Sequence, residues 1–328
     1  MAKKRKSARK AKTVYSNSNK FSLSQKIAGF VELGRPIEWS KPLINMTLAM
    51  LMSFYVYSAV VSFNIFIVGF FSVALLWSGL YALNDYTDWK IDAQHEVKKK
   101  RPIPSGKVTP LQGLLFSVIL ILVSFGIAFG LNNPLLVVCL FAMLLNQWLY
   151  TMKPFRLKSR KGLDMISGSM INPLFRYLAG LVLFVPAATL FAQVTPILPI
   201  IFVVGMQFSG YSLYRLFSKK HDLSVKMKST VALVSEKSVK FLSYSAIGLA
   251  ALAYILLFVN NFTYKNTALG FLPLIYIAPI IVAGLFIPLM MDGILSPAKA
   301  DMKKNYRTLY LATVVFIIAN WVVFLFFK

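Results

Sequence analysis

Three side chains that could bind a metal ion follow one another at the end of a long apolar run: Asn84, Asp88 and Asp92. Their spacing of four residues places all three on one face of a helix. Two carboxylates one turn apart repel each other unless a cation lies between them. Oxygen ligands that face water suit Mg²⁺, which keeps several waters and commonly bridges to substrate phosphates. The spacing therefore predicts a Mg²⁺ site for a diphosphate at the end of an apolar helix.

Basic residues follow this acidic face within about two turns. Arg101 precedes Pro102-Ile103-Pro104-Ser105-Gly106, a stiff segment that ends in a turn. Arg can bind phosphate oxygens through two parallel hydrogen bonds, whereas Lys98 acts as a point charge. Asp85 adds a carboxylate to the same stretch, and we expect it to contact substrate as well. The alternative, a solvated loop of mixed charge, does not explain the regular spacing of the acidic residues.

The composition is that of an integral membrane protein. The chain has 328 residues, 57% of them hydrophobic, and a mean hydropathy of +0.65. Apolar segments long enough to cross a bilayer are predicted at 41–61, 63–83, 111–131, 133–151, 165–186, 197–214, 240–260, 268–291 and 307–327. The sequence therefore predicts an all-α membrane protein with about nine transmembrane helices.

Almost all of the 36 Lys and Arg residues lie in the N-terminal segment or in alternate loops. By the positive-inside rule, we expect the N-terminus and the charged loops to be cytoplasmic and the C-terminus to lie outside. Residues 1–30 are predicted to form a basic, disordered cytoplasmic tail, and residues 31–328 a polytopic transmembrane catalytic domain. The lone Cys139 leaves no disulfide partner.

The net charge of +25 would suggest nucleic-acid binding in a soluble protein. Here nothing aromatic or folded accompanies the basic tail, so we expect no nucleic-acid partner. The tail is expected either to enforce topology or to bind anionic membrane lipids.

The polar stretches resemble the signatures of the UbiA-type membrane prenyltransferases. The first signature corresponds to Asn84-Asp85-x-x-Asp88-x-x-x-Asp92, followed by Arg101-Pro102-Ile103-Pro104-Ser105-Gly106. Further similar stretches are Gly34-Arg35-Pro36 before the first predicted span, Tyr150 through Lys158, and Arg176-x-x-Ala179-Gly180. The resemblance implies nine helices in a bundle around a central cavity that opens to the cytoplasmic side.

Members of that family use Mg²⁺ to bind an isoprenoid diphosphate. The resemblance therefore implies transfer of a polyprenyl group to a lipophilic acceptor, with release of diphosphate. The carbocation that forms needs an apolar, aromatic cavity that excludes water, because a ring face stabilises positive charge. Candidate lining residues are Tyr81, Tyr86, Trp148, Tyr150, Tyr177 and Phe208. A quinone precursor, a tetrapyrrole, a glycerol phosphate lipid and a carotenoid all stay open as acceptor.

Several further residues receive roles through the resemblance. We assign Tyr150 to catalysis and Asn146, one turn earlier, to substrate binding, together with Lys158. Arg176 lies inside a predicted span, where a charge is costly and commonly marks a functional cavity or a bundle partner. The match favours the cavity for Arg176.

The family's second acidic motif, after the sixth helix, is reduced here to Asp222. The residue four positions earlier is Ser218 instead of a second acid. We expect Asp222 to be a metal and substrate ligand, and Lys219 to meet the phosphates directly.

Two other functions compete with prenyl transfer. The spacing of Asp92, His95, Lys98 and Arg101 is similar to that of decaprenyl-phosphate phosphoribosyltransferases. The alternative reaction is therefore phosphoribosyl transfer from phosphoribosyl diphosphate to a polyprenyl phosphate. The third hypothesis is a non-catalytic lipid-binding or assembly protein, which the retained carboxylates disfavour.

Overall fold

The computed structural model describes residues 21–95, 97–193, 195–224, 227–263, 268–296 and 300–327. Residues 1–20 of the predicted basic tail lie outside this part of the chain. From Leu23 onward the same predicted tail is part of the first helix, which begins with a Ser22–Gln25 capping box. In the described ranges the chain is helical and has no β-strand, only an isolated bridge between Arg160 and Lys228.

Sixteen α-helices make up most of the described chain. In chain order they are α1 (Leu23–Gly34), α2 (Ser40–Tyr55), α3 (Phe63–Asp92), α4 (Pro102–Ser105), α5 (Pro110–Gly130), α6 (Pro134–Thr151), α7 (Leu163–Ser169), α8 (Ile171–Val182), α9 (Ala187–Ala192), α10 (Ile197–Phe217), α11 (Lys219–Ser224), α12 (Thr230–Leu233), α13 (Glu236–Thr263), α14 (Ile277–Gly284), α15 (Met291–Leu295) and α16 (Met302–Phe327). Short 3₁₀ turns cover Pro36–Trp39, Lys98–Lys100, Leu157–Ser159, Leu274–Tyr276 and Pro288–Met290.

Six helices in the described ranges are long and apolar enough to cross a membrane: α3, α5, α6, α10, α13 and α16. A seventh candidate is the bent pair Leu274–Gly284 and Pro288–Leu295, whose two parts meet at 41°. The other two predicted spans hold shorter helices, because α2 has 16 residues and the segment 165–186 is divided between α7 and α8.

The break between α7 and α8 has a local cause in the sequence. Pro173 lies in the first turn of α8, where its missing N–H is tolerated, but it could not continue a helix from α7 without losing a hydrogen bond. The α8 N-terminus is held instead by Asn45, whose side-chain amide donates to the Pro173 carbonyl at 3.0 Å.

The described part of the chain divides into two compact units, of which unit 1 comprises the described residues within 21–39 and 71–127. Its core contains Leu33, Ala82, Ile103 and Val108, none of which is measurably exposed to solvent. This core joins the end of α1 to the C-terminal part of α3 and to the short helix α4, and the last two carry the first polar signature.

Unit 2 comprises the described residues within 40–70 and 128–327. Within it α10 packs along α13, where a Cβ on Gly205 would lie 2.8 Å from the Ala246 carbonyl oxygen. Likewise α8 packs on α2, where a Cβ on Gly180 would lie 2.7 Å from Met46 Cα. Small residues at such contacts let helix backbones approach closely, as is usual between membrane helices.

Candidate active site

The helix α3 continues without a break through the acidic signature. It has 30 residues and ends at Asp92, nine residues beyond the predicted apolar segment. Because residues 84–92 are helical, Asn84, Asp88 and Asp92 do share one face, as their spacing predicts. Asp92 is buried, whereas Asn84 and Asp88 are partly exposed.

Arg101 joins two of the carboxylates of unit 1. Its Nη1 donates to Asp92 Oδ2 at 2.7 Å and to Asp85 Oδ1 at 3.0 Å. Lys98 Nζ lies 3.8 Å from Asp92 Oδ1, which is longer than a hydrogen bond. The side chains of Asp85 and Asp92 are only 2% and 3% exposed, so these ion pairs are screened by water much less than surface pairs.

The backbone around Arg101 is fixed by its neighbours. Pro102 begins the short helix α4, and Gly106 ends it in the left-handed region at φ 87°. Ile103 is fully buried in the core of unit 1, and the Val108 amide donates to the Pro102 carbonyl at 3.1 Å. The apolar residues of the signature therefore hold the guanidinium against the carboxylates.

Arg35 is a second partner of Asp85. Its Nη2 donates to both carboxylate oxygens, at 2.7 and 2.9 Å, and its guanidinium lies 4.5 Å from the centre of the Tyr81 ring. The Tyr81 hydroxyl in turn donates to Glu38 at 3.0 Å. Burial lowers the pKa of Arg35, but the attraction of Asp85 and its neighbours raises that pKa by more, so the guanidinium stays charged.

The donor set of unit 1 fits Mg²⁺. Among the described residues there is no group of three or more His, Cys, Asp or Glu side chains arranged to hold a metal ion. An all-protein cage is not what Mg²⁺ requires, because it is commonly bound through one or two carboxylates plus phosphates and water. Asp88, Asp92 Oδ1 and the Asn84 amide provide oxygen donors of that kind on one helix face.

Unit 2 contains a separate polar cluster at the end of α10. Arg215 Nη2 donates to Asp222 Oδ2 at 2.7 Å and lies 3.7 Å from Asp164 Oδ2. Ser229 Oγ donates to Asp222 Oδ2 at 2.6 Å, and the Thr230 amide donates to Asp164 Oδ2 at 3.0 Å. The Thr230 hydroxyl also donates to Asp164.

Two of the predicted residues of α6 make buried polar contacts within unit 2. The Tyr150 hydroxyl lies 2.7 Å from the Tyr211 hydroxyl on α10. The Asn146 amide donates to the Ser167 carbonyl at 2.9 Å, and its oxygen accepts from the Ser167 hydroxyl at 2.7 Å. Asn146 thus supports the α7–α8 break, and its predicted substrate contact stays a prediction.

The remaining predicted residues of unit 2 lie in different places. Arg176 is fully buried on α8, and its Nη2 donates to Gln207 Oε1 on α10 at 2.5 Å. Lys158 is buried in the 3₁₀ turn after α6, with Nζ 6.0 Å from the centre of the Tyr150 ring. Lys219 is partly exposed at the start of α11.

Sequence reasoning gave no role to Arg35, Arg215, Tyr211 or Thr230. The first three contact the predicted site residues Asp85, Asp222 and Tyr150, and Thr230 contacts Asp164. Arg35 comes just before Pro36 in a stretch similar to the family opening, and this was a usable signal. Arg215 lies one turn after Tyr211 at the polar end of an apolar helix, the other usable signal.

Comparison with known proteins shows to which family the chain belongs. Residues 44–314 match the UbiA prenyltransferase family. A protoheme IX farnesyltransferase from Leptospira biflexa is 35% identical over 122 residues, which are 36% of this chain and 42% of that protein. A 4-hydroxybenzoate octaprenyltransferase from Tolumonas auensis is 23% identical over 232 residues, 70% of this chain and 74% of that protein. The chain thus spans less than half the length of the Leptospira relative that it matches.

Solved structures show the same fold. A UbiA homolog from Archaeoglobus fulgidus, solved with GPP and Mg²⁺ bound, superposes with a TM-score of 0.67 at 15% identity. The match covers 90% of this chain and 99% of that one. The apolar helices and these matches define an integral, multi-pass membrane protein. The chain belongs to the UbiA prenyltransferase family.

Proposed function

We propose that this protein transfers a polyprenyl group from an isoprenoid diphosphate to a lipophilic acceptor. The observation that carries the proposal is the Arg101 guanidinium held between Asp85 and Asp92 at the end of α3. This arrangement joins the acidic and the basic halves of the signature that resembles the family. The family match over residues 44–314 supports the same reaction.

The donor half of the reaction is the better supported one. The named relatives include a farnesyltransferase, an octaprenyltransferase and a digeranylgeranylglyceryl phosphate synthase, so each name contains a prenyl group. Their names differ in the acceptor. The proposal is therefore for transfer from a prenyl diphosphate, with a lipophilic nucleophile as acceptor.

Asn84, Asp88 and Asp92 would hold Mg²⁺ in this proposal. When bound, the ion would neutralise charge that develops on the departing diphosphate. A solved homolog contains both GPP and Mg²⁺, which supports the assignment. The oxygen donors of Asn84, Asp88 and Asp92 on α3 are of the type that Mg²⁺ prefers.

The residues near the Mg²⁺ site have defined roles in the proposed reaction. The bond between the allylic carbon and the diphosphate oxygen breaks, and its electron pair leaves with the diphosphate. Arg101 and Lys98 supply fixed positive charge to that leaving group, which requires no reorganisation at the moment of reaction. The acceptor then forms a bond to the allylic carbon and loses a proton to water or to a basic group.

In unit 2 the predicted roles of Tyr150, Lys158, Arg176, Lys219 and Asn146 stay part of the proposal. Tyr150 is assigned to stabilising the allylic cation, since a ring face attracts positive charge. Lys158, Arg176 and Lys219 are assigned to substrate contacts, and Asn146 to the same purpose beside its packing role.

The proposal also includes the membrane arrangement predicted from the sequence. Nine crossings would place the N-terminus and the charged loops in the cytoplasm and the C-terminus outside. The catalytic cavity would open to the cytoplasmic side. This arrangement requires that α2, the α7–α8 pair and the bent pair Leu274–Gly284 and Pro288–Leu295 each cross the membrane, in addition to the six long apolar helices.

The position of His95, which favoured phosphoribosyl transfer, can be explained by a local structural role. His95 Nδ1 accepts from the amides of Val97 and Lys98, at 3.1 and 3.4 Å. The histidine therefore organises the turn that leads to Arg101. The spacing that favoured the alternative reaction has a structural use within a prenyltransferase.

The test is diphosphate release by full-length protein purified in detergent. Geranylgeranyl diphosphate with a membrane lipid extract as acceptor source is compared with phosphoribosyl diphosphate plus polyprenyl phosphate. We expect Mg²⁺-dependent release from the first donor, lost in the Asp88→Asn variant. Release from the second donor alone would replace the proposal with phosphoribosyl transfer, and a prenyl release that Asp88→Asn leaves intact would refute the assigned site.

A further inference from the structure

The resemblance to the family implies a second acidic motif after the sixth helix, but this chain keeps one acid there. Asp222 follows Ser218 by four residues, and the Ser218 hydroxyl donates to the Arg215 carbonyl at 2.8 Å. Ser218 is thus a neutral residue with a backbone partner in the place where a second carboxylate is expected.

Asp222 itself is committed to protein contacts. Asp222 is 2% exposed, and its Oδ2 accepts hydrogen bonds from both Arg215 Nη2 and Ser229 Oγ. Its backbone closes the same turn, since its amide donates to Ser218 and its carbonyl accepts from Met227, each at 2.8 Å. The residue shapes the segment that follows α10.

A second carboxylate approaches the same guanidinium from another part of unit 2. Asp164 is fully buried at the start of α7, and its Oδ2 lies 3.7 Å from Arg215 Nη2. Thr230 holds this carboxylate with its amide, while its hydroxyl accepts from the Gly162 amide at 2.7 Å. Burial raises the pKa of Asp164, although Thr230 and Arg215 oppose the rise.

Two buried carboxylates from separate segments therefore converge on one nitrogen of one cation. A divalent metal bound between these acids through their Oδ2 atoms would have to displace Arg215, whose guanidinium cannot lose its charge in a protein. Displacement would leave a buried guanidinium without its partners, which is strongly unfavourable. In unit 1, Asn84 and Asp88 add partly exposed oxygen donors beside Asp92, whereas in this cluster both acids face Arg215 and are almost fully buried. The donor set of this cluster therefore does not fit a second metal.

We propose that Arg215 replaces the second divalent cation expected for this family, so that the protein binds a single Mg²⁺, at Asn84, Asp88 and Asp92. The inference rests on the proposed function only for the identity of that one site. Asp222 is then a residue that positions Arg215 and closes the turn, in place of its predicted role as a metal ligand. The positive charge in this part of unit 2 is permanent and does not depend on the Mg²⁺ concentration.

The experiment counts metal ions on the full-length protein in detergent. Bound Mn²⁺ is measured by equilibrium dialysis with geranyl thiodiphosphate, an unreactive donor analogue, at equal concentration on both sides. We expect one Mn²⁺ per chain in the wild type and in Asp222→Asn, with affinities within about threefold, because loss of a ligand or of its support costs at least about tenfold. The control Asp88→Ala is expected to lose the ion.

Loss of one Mn²⁺, or affinity at least about tenfold weaker, in Asp222→Asn would overturn the inference. Should that variant fail to fold, the wild type decides the matter by electron paramagnetic resonance. A single-ion Mn²⁺ spectrum supports the inference, and a spin-coupled pair overturns it. No bound Mn²⁺ in any variant would contradict the metal site of the proposed function while agreeing with the absence of a metal at Asp222.

Discussion

The Nη1 atom of Arg101 lies 2.7 Å from Asp92 Oδ2, and the same nitrogen lies 3.0 Å from Asp85 Oδ1. The two acids are seven residues apart on α3, so they share a face that the helix turns inward. Arg35 then binds Asp85 from the end of α1. Asp85 is thereby a link between two arginines, whereas Asp92 keeps an oxygen whose nearest lysine, Lys98, is at 3.8 Å.

Replacing Arg101 tests its role as a phosphate-binding cation. Arg101→Ala is expected to lower kcat by about a hundredfold, comparable to loss of one preorganised charge donor in an active site. Arg101→Lys should fall between this variant and the wild type, because lysine keeps the charge but not the fork of donors. The measurement is Mg²⁺-dependent diphosphate release at saturating prenyl diphosphate.

The control for Arg101 is Lys99→Ala, which removes the same charge two residues earlier from an exposed side chain. Its kcat should stay within about threefold of the wild type, since exposed charges contribute little. Equal losses in Lys99→Ala and Arg101→Ala would mean that general basicity, and not the position of the guanidinium, matters.

Replacement of Asp88 and replacement of Asp85 are expected to change different properties, metal affinity in the first case and stability in the second. Asp88→Asn should weaken Mn²⁺ binding by at least about tenfold and leave the melting temperature unchanged. Asp85→Asn should retain most Mn²⁺ affinity but lose about 1–3 kcal/mol of stability, because Arg35 and Arg101 both lose a partner. Metal titration and thermal melting in the same detergent separate the two effects.

A reversal of this pattern would redefine the site. If Asp85→Asn lost Mn²⁺ binding while its melting temperature stayed at the wild-type value, Asp85 would be a metal ligand. Asp88 would then have to be reassigned to substrate contact.

The helical fold was largely predictable from hydropathy, and the reasons are physical. Each apolar segment contains a helix, because backbone polar groups in lipid must be satisfied within the segment. The lengths of the helices were less predictable from hydropathy. The helix α3 continues for nine residues past the apolar limit, since its polar residues keep the helical hydrogen bonds. The 165–186 segment breaks before Pro173, which hydropathy does not register.

The candidate site was predictable only where its residues are close in sequence. Asp92 and Arg101 are nine residues apart, and this short separation, with the stiff segment that follows Arg101, was enough to expect proximity. Arg35 and Asp85 are separated by 50 residues, and Asp164 and Thr230 by 66. Such pairs are set by tertiary packing, which residue spacing does not encode.

Ile103 should act on the reaction through Arg101. Its side chain is fully buried, so Ile103→Ala is expected to cost about 2–5 kcal/mol and to loosen the segment that carries Arg101. A shift of that guanidinium by about 1 Å could reduce kcat by up to about a hundredfold. Melting temperature and diphosphate release are measured on the same preparation.

The matched control is Val108→Ala, in the same buried cluster but farther along the chain. It should lose stability with a smaller loss of kcat. Equal kcat losses at equal loss of stability would show that Ile103 has no specific connection with Arg101.

The close contact between α10 and α13 predicts that a larger side chain at Gly205 lowers stability, and Gly210 on the same helix provides a control. A Cβ on Gly205 would lie 2.8 Å from the Ala246 carbonyl oxygen, which is backbone and cannot move aside. Gly205→Val is therefore expected to destabilise the protein by about 1–3 kcal/mol through overpacking. A Cβ on Gly210, on the same helix, would have no heavy atom of another described element within 4 Å.

Gly210→Val should accordingly melt within about 1 °C of the wild type, since surface changes usually alter stability by less than about 0.5 kcal/mol. The two variants share residue type, helix and added volume, so intrinsic helix propensity cancels between them. Melting followed by tryptophan fluorescence in one detergent gives the comparison. If Gly205→Val were as stable as Gly210→Val, the close approach of α10 to α13 would not be what glycine at position 205 permits.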